Sequence, residues 1–405
     1  MITVDRLRTS PNALAEHYSR FRVGERTLLT GHSHQAWPDV ALRGQIEAFE
    51  DAARAVDGKW DLALARADEV RAAFRGWLDD PDAPIALGAN THELVVRFLS
   101  AVDLPHRPRL ITTGGEFHSI RRQLARVAEE GVEVVRLAPD PIDTLAARLA
   151  EAIDGRTAAV LVSAVLFETA RIVPGLGDLA AVCAWRGVEL LVDAYHALGV
   201  VPISVPADGL DSAWVVGGGY KYLQLGEGNC FLRIPPHGLD ARPVITGWYA
   251  EFGELDAEAG DGPVRYAAGA ARFAGATYDP TSHYRASEVS RFFADHGLTP
   301  ALLRRISLHQ NELLARLFDE LEAPAEIITR DRAAPRSAFG GFLALRSPIA
   351  AQLSRELARR GVATDSRGEY LRLGPAPYLS DYQLESAIMT LGEIVHSWDR
   401  LPKAE

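Results

Sequence analysis

The sequence predicts an α/β fold: a large domain with a mainly parallel, seven-stranded type of sheet between helices, followed by a smaller α+β domain. Strand-like and helical segments alternate between residues about 83 and 235. One strand, residues 158–163, is almost wholly apolar, as is typical of a parallel strand buried on both faces. After Pro235-Pro236 the alternation stops, and a long excursion precedes further helices and short strands.

Three regions are expected along the chain. Residues 1–45 would form a largely helical arm and a loop at the ligand site. Residues 46–280 would form the large domain, and residues 281–405 the small C-terminal α+β domain. Chain length supports this division, because 405 residues exceed one minimal domain.

Composition excludes several classes of function. The formal net charge of −11 argues against nucleic acid or an anionic membrane as the main partner. No apolar stretch is long enough to span a bilayer, and the N-terminus does not resemble a signal peptide. Two cysteines make no disulfide framework. We therefore expect a cytoplasmic protein in a reducing compartment.

The individual elements follow from hydrophobic periodicity and from turn residues. Expected strands cover residues 85–88, 110–113, 132–135, 158–163, 188–193, 213–216, 229–234, 340–345, 362–365 and 370–373. Expected helices cover residues 40–78 with a break at 58–60, then 90–99, 120–129, 142–153, 176–185, 286–294, 302–321, 349–360 and 380–398.

Several strands end in residues that carry chemistry. Ligands of parallel α/β sheets bind beyond the carboxyl ends of the strands. The turn from Gly88 to a helix opening at Asn90 or Thr91 presents free amides to an anion such as phosphate, although many such turns bind nothing. The strand near residue 113 delivers Phe117 and His118.

Lys221 follows a strand and three glycines, and it is one of only three lysines in an arginine-rich chain. Lysine forms imines and changes its protonation state when it is desolvated, whereas arginine does neither. The simpler interpretation is a strand-end loop that happens to contain a lysine. The neighbouring strand ends decide between the two interpretations.

Asp193 ends the preceding strand, 28 positions before Lys221. Pyridoxal 5′-phosphate needs this combination: a lysine that binds it covalently and a buried carboxylate that keeps its pyridine nitrogen protonated. A helix N-cap is the alternative for Asp193 alone. Together with the phosphate-like turn and the aromatic loop, the pair predicts this cofactor.

The chain resembles the class V aminotransferase superfamily, fold type I of the pyridoxal phosphate enzymes, and within it the kynureninase family. The resemblance rests on Asp193-Ala-Tyr-His196, on Gly217-Gly-Gly-Tyr-Lys221 and on the segment 361–378. The loops at Gly58-Lys59-Trp60 and at residues 28–33 also resemble loops of that family. The resemblance as a whole covers most of the chain.

The resemblance implies a role for each matching residue. Lys221 would be the Schiff-base lysine and would move the substrate proton, while Asp193, His196, Phe117 or its rival His118, and Tyr220 would contact the cofactor. Asn90 and Thr91 would bind the phosphate, and Arg372 would bind a substrate carboxylate. Trp248 and Thr277 would reach the neighbouring subunit of a homodimer, with Thr277 at the cofactor.

This chain departs from the kynureninase pattern at two places. Kynureninases carry a Ser-Asn pair in the segment that aligns with residues 272–277, and no asparagine stands there. A family histidine near Ala55 is also absent. We expect His32 and Ser33, in a loop with His34, to contact the substrate instead. A metal pair of His32 and His34 is the alternative, but no cysteine or carboxylate cluster joins them, so no metal is expected.

Four functions follow as hypotheses. The first is kynureninase-like hydrolytic cleavage at the β-carbon of an amino acid, which yields alanine and an aryl acid from a kynurenine-type substrate. The second is transamination, and the third is β-elimination or desulfuration. A non-catalytic protein on the same scaffold is the fourth, and the intact Asp193–Lys221 pair argues against it.

Overall fold

The structure is a computed structural model and describes residues 2–252 and 262–398. Residues 253–261 of the predicted excursion and residues 399–405 of the predicted small domain lie outside the described residues. The boundaries between the three predicted regions stay a prediction.

The described elements follow the predicted alternation closely. The helices are α1 Val4–Arg8, α2 Val40–Ala55, α3 Lys59–Trp77, α4 Thr91–Ala101, α5 His118–Glu129, α6 Leu145–Glu151, α7 Leu176–Arg186, α8 Thr281–Asp295, α9 Pro300–Glu320, α10 Ala350–Arg359 and α11 Asp381–His396. The strands are β1 Thr27–Leu28, β2 Ile85–Gly88, β3 Arg109–Thr113, β4 Glu133–Leu137, β5 Thr157–Ser163, β6 Glu189–Asp193, β7 Trp214–Gly218, β8 Cys230–Arg233, β9 Thr329–Arg330, β10 Leu343–Arg346, β11 Val362–Ala363, β12 Asp365–Arg367 and β13 Tyr370–Leu373.

A seven-stranded sheet with the order β2-β8-β7-β6-β5-β3-β4 forms the centre of the large domain. The pairs from β7 through β6, β5 and β3 to β4 are parallel, and only β8 runs against its neighbours β7 and β2. The predicted mainly parallel α/β sheet is therefore confirmed. The carboxyl ends of β2, β3, β5, β6 and β7 share one edge.

The sheet is buried on both faces. Every residue of β5 is buried, and from Ala159 onwards its side chains alternate between two hydrophobic clusters. Ala159 and Leu161 pack in the cluster that includes helix α4, whereas Val160 and Val162 pack in the cluster that includes helix α7. Helices on both faces leave the strand ends as the open edge at which a ligand binds.

A second, antiparallel sheet with the order β12-β13-β10-β9 forms the centre of the C-terminal part. The N-terminal segment joins it through the parallel pair of β1 and β11 and through a bridge between Thr30 and Gly374. These pairings bring the loop at residues 31–35 beside the end of β13. Residues far apart in sequence thereby meet next to the central sheet.

Two predicted helices differ from the structure. The N-terminal arm is mostly turns, with the short helix α1 and one 3-10 turn, Ala15–Tyr18. The Asn12 side chain explains the difference, because it donates to the Leu7 and Pro377 carbonyls and so competes with helical hydrogen bonds. The helix predicted over residues 142–153 is a 3-10 turn followed by the shorter α6.

Candidate active site

Lys221 lies just beyond the end of β7, and its side chain is buried. Its Nζ lies 2.5 Å from Nε2 of His196. The ring centres of Tyr195, Phe117 and Tyr220 lie 4.7, 5.3 and 5.7 Å from the same nitrogen. The amine is thus enclosed by aromatic rings, and among the described residues it has one hydrogen-bonding partner at its tip.

Burial tunes the charge of this amine. It lowers the pKa of Lys221 to about 7, while the negative charge of Asp193 opposes the shift and the positive charge of Arg372 adds to it. A large fraction of the amine is therefore neutral near physiological pH. A neutral, desolvated lysine is a competent nucleophile and proton acceptor.

Asp193 ends β6, next to the end of β7. Its carboxylate is buried and accepts a hydrogen bond of 2.9 Å from the backbone N–H of Tyr195. Burial raises the pKa of Asp193, and that hydrogen bond and the nearby Lys221 oppose the rise. A cation held against this carboxylate would lower its raised pKa and keep it ionised.

His196 follows Asp193 by three positions and is also buried. Burial lowers its pKa well below the usual value, and the charges of Lys221 and Arg372 add to that effect. The imidazole is therefore neutral. Nδ1 of His196 has no hydrogen-bonding partner among the described residues. A buried ring nitrogen without a partner is a candidate contact for a bound group.

Glu116 is a buried carboxylate that sequence reasoning missed. Thr113 and Ser163 each donate a hydroxyl hydrogen bond of 2.6 Å to it, and it thereby joins the ends of β3 and β5. Burial raises the pKa of Glu116 to about 7, and the neighbouring charge of Asp193 adds to the rise. The sequence signal that could have identified Glu116 is an acidic residue near a strand end, directly before the aromatic loop.

The structure separates the two rival aromatic residues. The Phe117 ring faces the Lys221 amine, whereas His118 is exposed at the start of α5 and packs edge-on against Phe167. Phe117 also packs edge-on against Phe167, with ring centres 5.4 Å apart. Phe117 is the residue of the pair that presents a flat apolar surface to the site.

The predicted anion turn caps helix α4. The Asn90 side chain accepts a hydrogen bond of 3.0 Å from the Glu93 backbone N–H, so the helix begins at Thr91. Burial raises the pKa of the Cys230 thiol to about 12, and a hydrogen bond from the Thr91 backbone N–H opposes that rise. The Cys230 sulfur also lies 3.7 Å from the hydroxyl of Tyr195. The helix N-terminus is thus next to the aromatic enclosure of the lysine.

The loop at residues 31–35 covers one side of the lysine. The His34 ring stacks on Tyr220, with ring centres 5.5 Å apart and planes 26° apart, and Ser33 Oγ lies 3.1 Å from His34 Nδ1. His34 is exposed, and Ser33 is half-buried. Burial raises the pKa of the Tyr220 phenol to about 12, so its hydroxyl keeps its proton.

His32 and Arg372 meet at Asp365, a second residue that sequence reasoning missed. His32 Nε2 lies 2.7 Å from Asp365 Oδ1. Arg372 donates from Nε and Nη2 to the two oxygens of Asp365, at 2.8 and 2.5 Å, and from Nη1 to the Phe167 carbonyl at 2.6 Å. Gly374 allows this approach, because a Cβ there would lie 2.0 Å from His32 Nδ1.

Trp248 and Thr277 lie together on the surface. Trp248 Nε1 donates to the Thr277 hydroxyl at 3.0 Å, and Trp248 is 44% exposed. A cleft of about 1040 Å³ is lined by Thr277 together with Gly88 and Ala89, which precede the turn at Asn90. Thr277 therefore shares a cleft with the predicted anion turn of the same chain.

Two further properties concern the residues that the structure describes. No group of three or more His, Cys, Asp or Glu side chains among them is arranged to hold a metal ion. None of their helices is both long and apolar enough to cross a bilayer.

Comparison with known proteins found sequence relatives over part of the chain. No family model matches. The chain is 27% identical to the kynureninase of Xanthomonas campestris pv. campestris strain B100, over 42% of each protein. It is 32% identical to the 2-aminoethylphosphonate–pyruvate transaminase of Burkholderia pseudomallei strain 668, over 45% of this chain and 47% of that enzyme. The matched regions thus span less than half of each relative.

Solved structures match over nearly the whole chain. A cystine C–S lyase, C-DES, in a variant with glycine covalently linked to its pyridoxal phosphate, superposes with a TM-score of 0.81 at 16% identity, over 93% of this chain and 98% of that one. The cysteine desulfurase of Thermococcus onnurineus NA1 superposes with a TM-score of 0.78 at 16% identity, over 96% and 98%. At these identities the likeness establishes the fold.

Proposed function

We infer that this chain, which has fold type I of the pyridoxal phosphate enzymes and fits the class V aminotransferase superfamily, is a pyridoxal 5′-phosphate enzyme acting on an amino acid. One observation carries this inference. Asp193 and Lys221, both buried, stand at the ends of the adjacent parallel strands β6 and β7. Adding pyridoxal phosphate to the purified protein and then removing the unbound cofactor tests it, because visible absorbance stays with the protein only if the cofactor binds.

The described residues fit this cofactor. Asp193 would hold the pyridine N–H, and the Phe117 ring would pack against the flat face of the ring. The N–H groups at Asn90 and Thr91 would bind the phosphate, since a helix N-terminus favours anions. Nδ1 of His196, which has no partner among the described residues, would contact a polar atom of the bound group. Tyr220 keeps its hydroxyl proton and would donate it to the phosphate.

The residues of this chain would move and hold protons around the cofactor. When bound, the cofactor supplies a carbonyl carbon that combines with amines and a ring that withdraws electrons. Lys221, neutral near pH 7, would take the proton from the carbon next to the substrate nitrogen and return it later. His196 would orient the Lys221 amine. Asp193 would keep the pyridine nitrogen of the cofactor protonated.

We propose kynurenine-type hydrolytic cleavage as the reaction, with transamination as the second candidate. The kynureninase relative supports the first and the aminophosphonate transaminase relative supports the second. Incubation of the loaded protein with kynurenine or 3-hydroxykynurenine separates them. Alanine together with an anthranilate supports cleavage, whereas a keto acid that appears only with an amino acceptor supports transamination.

Desulfuration is disfavoured by the cysteines. Desulfurases use a cysteine thiolate as the nucleophile, and this chain has only Cys183 and Cys230. Both are buried, and burial raises the pKa of each thiol to about 12. Neither thiol would be ionised near neutral pH, and only the ionised form attacks efficiently.

We further propose a homodimer. Apolar side chains on helix α2 and directly after it support this proposal, since Ile46, Phe49 and Val56 are 48%, 76% and 72% exposed. The exposed Trp248–Thr277 pair would reach the partner's site in such an assembly. Light scattering after size-exclusion chromatography tests the proposal, and a monomeric mass would contradict it.

The proposed location is the cytoplasm. Cys183 and Cys230 are both free and buried, which suits a reducing compartment. Fractionation of cells that express the untagged chain at its natural level tests this, and recovery in a membrane or secreted fraction would contradict it.

A further inference from the structure

Gln224 closes the turn that begins at Lys221. Its backbone N–H donates to the Lys221 carbonyl at 3.1 Å, and the N–H of the next residue, Leu225, donates to the Gly219 carbonyl at 2.9 Å. Lys221 therefore stands in a small loop that two backbone hydrogen bonds close. The position of its amine depends on the conformation of this loop.

The backbone of Gln224 has a conformation that few side chains adopt. Its φ angle is 60°, in the left-handed region that glycine enters readily and other residues avoid. A residue with a side chain keeps such an angle only where the surrounding structure holds it. The contacts of the Gln224 side chain therefore matter for the shape of the loop.

The Tyr18 hydroxyl holds the side-chain amide of Gln224. It donates to Oε1 of Gln224 at 2.5 Å, and both residues are 0% exposed. Nε2 of the same amide has no partner among the residues that the structure describes. A buried amide with a single hydrogen bond depends strongly on that bond, because its loss leaves the whole group unsatisfied.

Tyr18 is itself fixed from several sides. It belongs to the N-terminal arm, 206 positions before its hydrogen-bonding partner. Its ring packs against Tyr378 and, edge-on, against Phe292, with ring centres 4.9 and 6.1 Å apart. The next residue, Ser19, donates to Asp39 from its N–H and its hydroxyl, at 2.9 and 2.6 Å. The arm thus presents the Tyr18 hydroxyl to the lysine loop at a fixed place.

We propose that Tyr18 is a positioning residue for the reaction at Lys221. By holding Gln224, it fixes the turn after the lysine and keeps the amine among the rings of Tyr195 and Phe117, away from water. The catalytic consequence rests on the proposed function of this site, whereas the placement of the amine does not. Without the Tyr18 hydroxyl, the loop would loosen and water would reach the amine more often.

Hydration of the amine has an effect of known sign. Burial is the largest cause of the lowered pKa of Lys221, so a more hydrated amine needs a higher pH to become neutral. Tyr18→Phe leaves unchanged every charged or titratable group that faces or acts on the amine: His196, Asp193, Arg372, Asp365, Cys230 and the flanking Tyr195 and Tyr220. A changed pH profile of Lys221 therefore reports a changed position of its amine.

Trace labelling with acetic anhydride, which acylates neutral amines, measures this profile on the cofactor-free protein between pH 5 and pH 10. Mass spectrometry of the digest follows Lys221, and Lys59 at the start of α3 is the reference on the same molecules. In Tyr18→Phe the midpoint for Lys221 should rise by about one pH unit, with the Lys59 profile unchanged. Cofactor attachment at pH 7 should slow about fivefold, since the neutral fraction falls from about one half to about one tenth.

Gln224→Met separates positioning from a general loss of stability. It removes the acceptor of the Tyr18 hydrogen bond and should shift the Lys221 midpoint equally. The double variant Tyr18→Phe/Gln224→Met should shift the midpoint no further, because Tyr18 acts through Gln224. If Tyr18→Phe does not fold, Gln224→Met alone carries the same test.

Tyr284→Phe is the matched control. The Tyr284 hydroxyl is also buried and donates to Asp51 at 2.9 Å, so its loss removes a comparable hydrogen bond without touching the lysine loop. The Lys221 profile should stay unchanged in this variant. An unchanged profile in both Tyr18→Phe and Gln224→Met overturns the proposal, and so does an equal shift in Tyr284→Phe. The expected shifts in a protein that binds no pyridoxal phosphate would support the positioning and contradict only the proposed function.

Discussion

Nζ of Lys221 lies 2.5 Å from Nε2 of His196, a neutral imidazole, in a buried site. Burial of the amine lowers its pKa to about 7, although the negative charge of Asp193 opposes the shift. The other ring nitrogen of His196, Nδ1, has no partner among the described residues. These two side chains therefore prepare an amine that reacts near neutral pH.

The first prediction concerns the pH dependence of cofactor attachment. Only the neutral amine attacks the cofactor, so the attachment rate should rise with pH, reach half its maximum near pH 7 and level off above it. Stopped-flow absorbance between pH 6 and pH 10 measures the profile, with Nα-acetyl-lysine as the reference amine. A rate that keeps rising towards pH 10, as the free amine does, would contradict the lowered pKa.

The second prediction concerns Glu116. Its pKa is about 7 when folded and near 4.5 when unfolded, so the folded state binds its proton more tightly. Glu116 therefore destabilises the fold increasingly as pH rises from 4.5 through 7. Glu116→Gln removes this cost, and its stability advantage should be larger at pH 8.5 than at pH 5.5 by about 2 kcal/mol.

Urea denaturation of the cofactor-free protein at both pH values measures the difference. Glu129→Gln serves as the control, because Glu129 is exposed at the end of α5, and it should show no such pH dependence. An equal effect of Glu116→Gln at both pH values would mean that the carboxyl is not perturbed.

The third prediction concerns Asp193→Asn. An amide cannot hold the positive charge on the ring nitrogen, so turnover should fall by about 10²–10³-fold while the cofactor still binds. Steady-state assays and visible absorbance on the same sample separate the two effects. Asp178→Asn, an exposed carboxylate in the first turn of α7, should leave both unchanged. Full activity in Asp193→Asn would remove this residue from the mechanism.

The fourth prediction concerns Cys230→Ser. Since the thiol stays protonated near neutral pH, the substitution should reduce turnover by less than threefold. Sulfide release from L-cysteine should be absent in the wild type as well. Sulfide production that disappears in Cys230→Ser would instead favour a desulfurase.

Local signals predicted the part of the site that lies on the central sheet. Asp193 and Lys221 each follow a strand with a clear apolar pattern, and the strand-end rule brings such residues together. The turn at Asn90 was predicted from its capping pattern and its glycine. The sequence could not decide whether Phe117 or His118 faces the site, because a shift of one residue at the start of the helix exchanges their orientations.

The rest of the site depends on contacts between distant segments. His32 and Asp365 are 333 positions apart and meet only because β1 pairs with β11. No local pattern shows that Arg372 donates to both carboxylate oxygens of Asp365. Glu116 was missed because a strand-end acid gives no sign of which hydroxyls will donate to it.

The most direct test is the covalent attachment point of the cofactor. Protein loaded with pyridoxal phosphate is reduced with borohydride, digested and examined by mass spectrometry. We expect the phosphopyridoxyl mass on the peptide that contains Lys221, with Lys59 unmodified, and neither visible absorbance nor that mass in Lys221→Ala. A wild-type protein that stays colourless, or a label that persists in Lys221→Ala, would contradict the account.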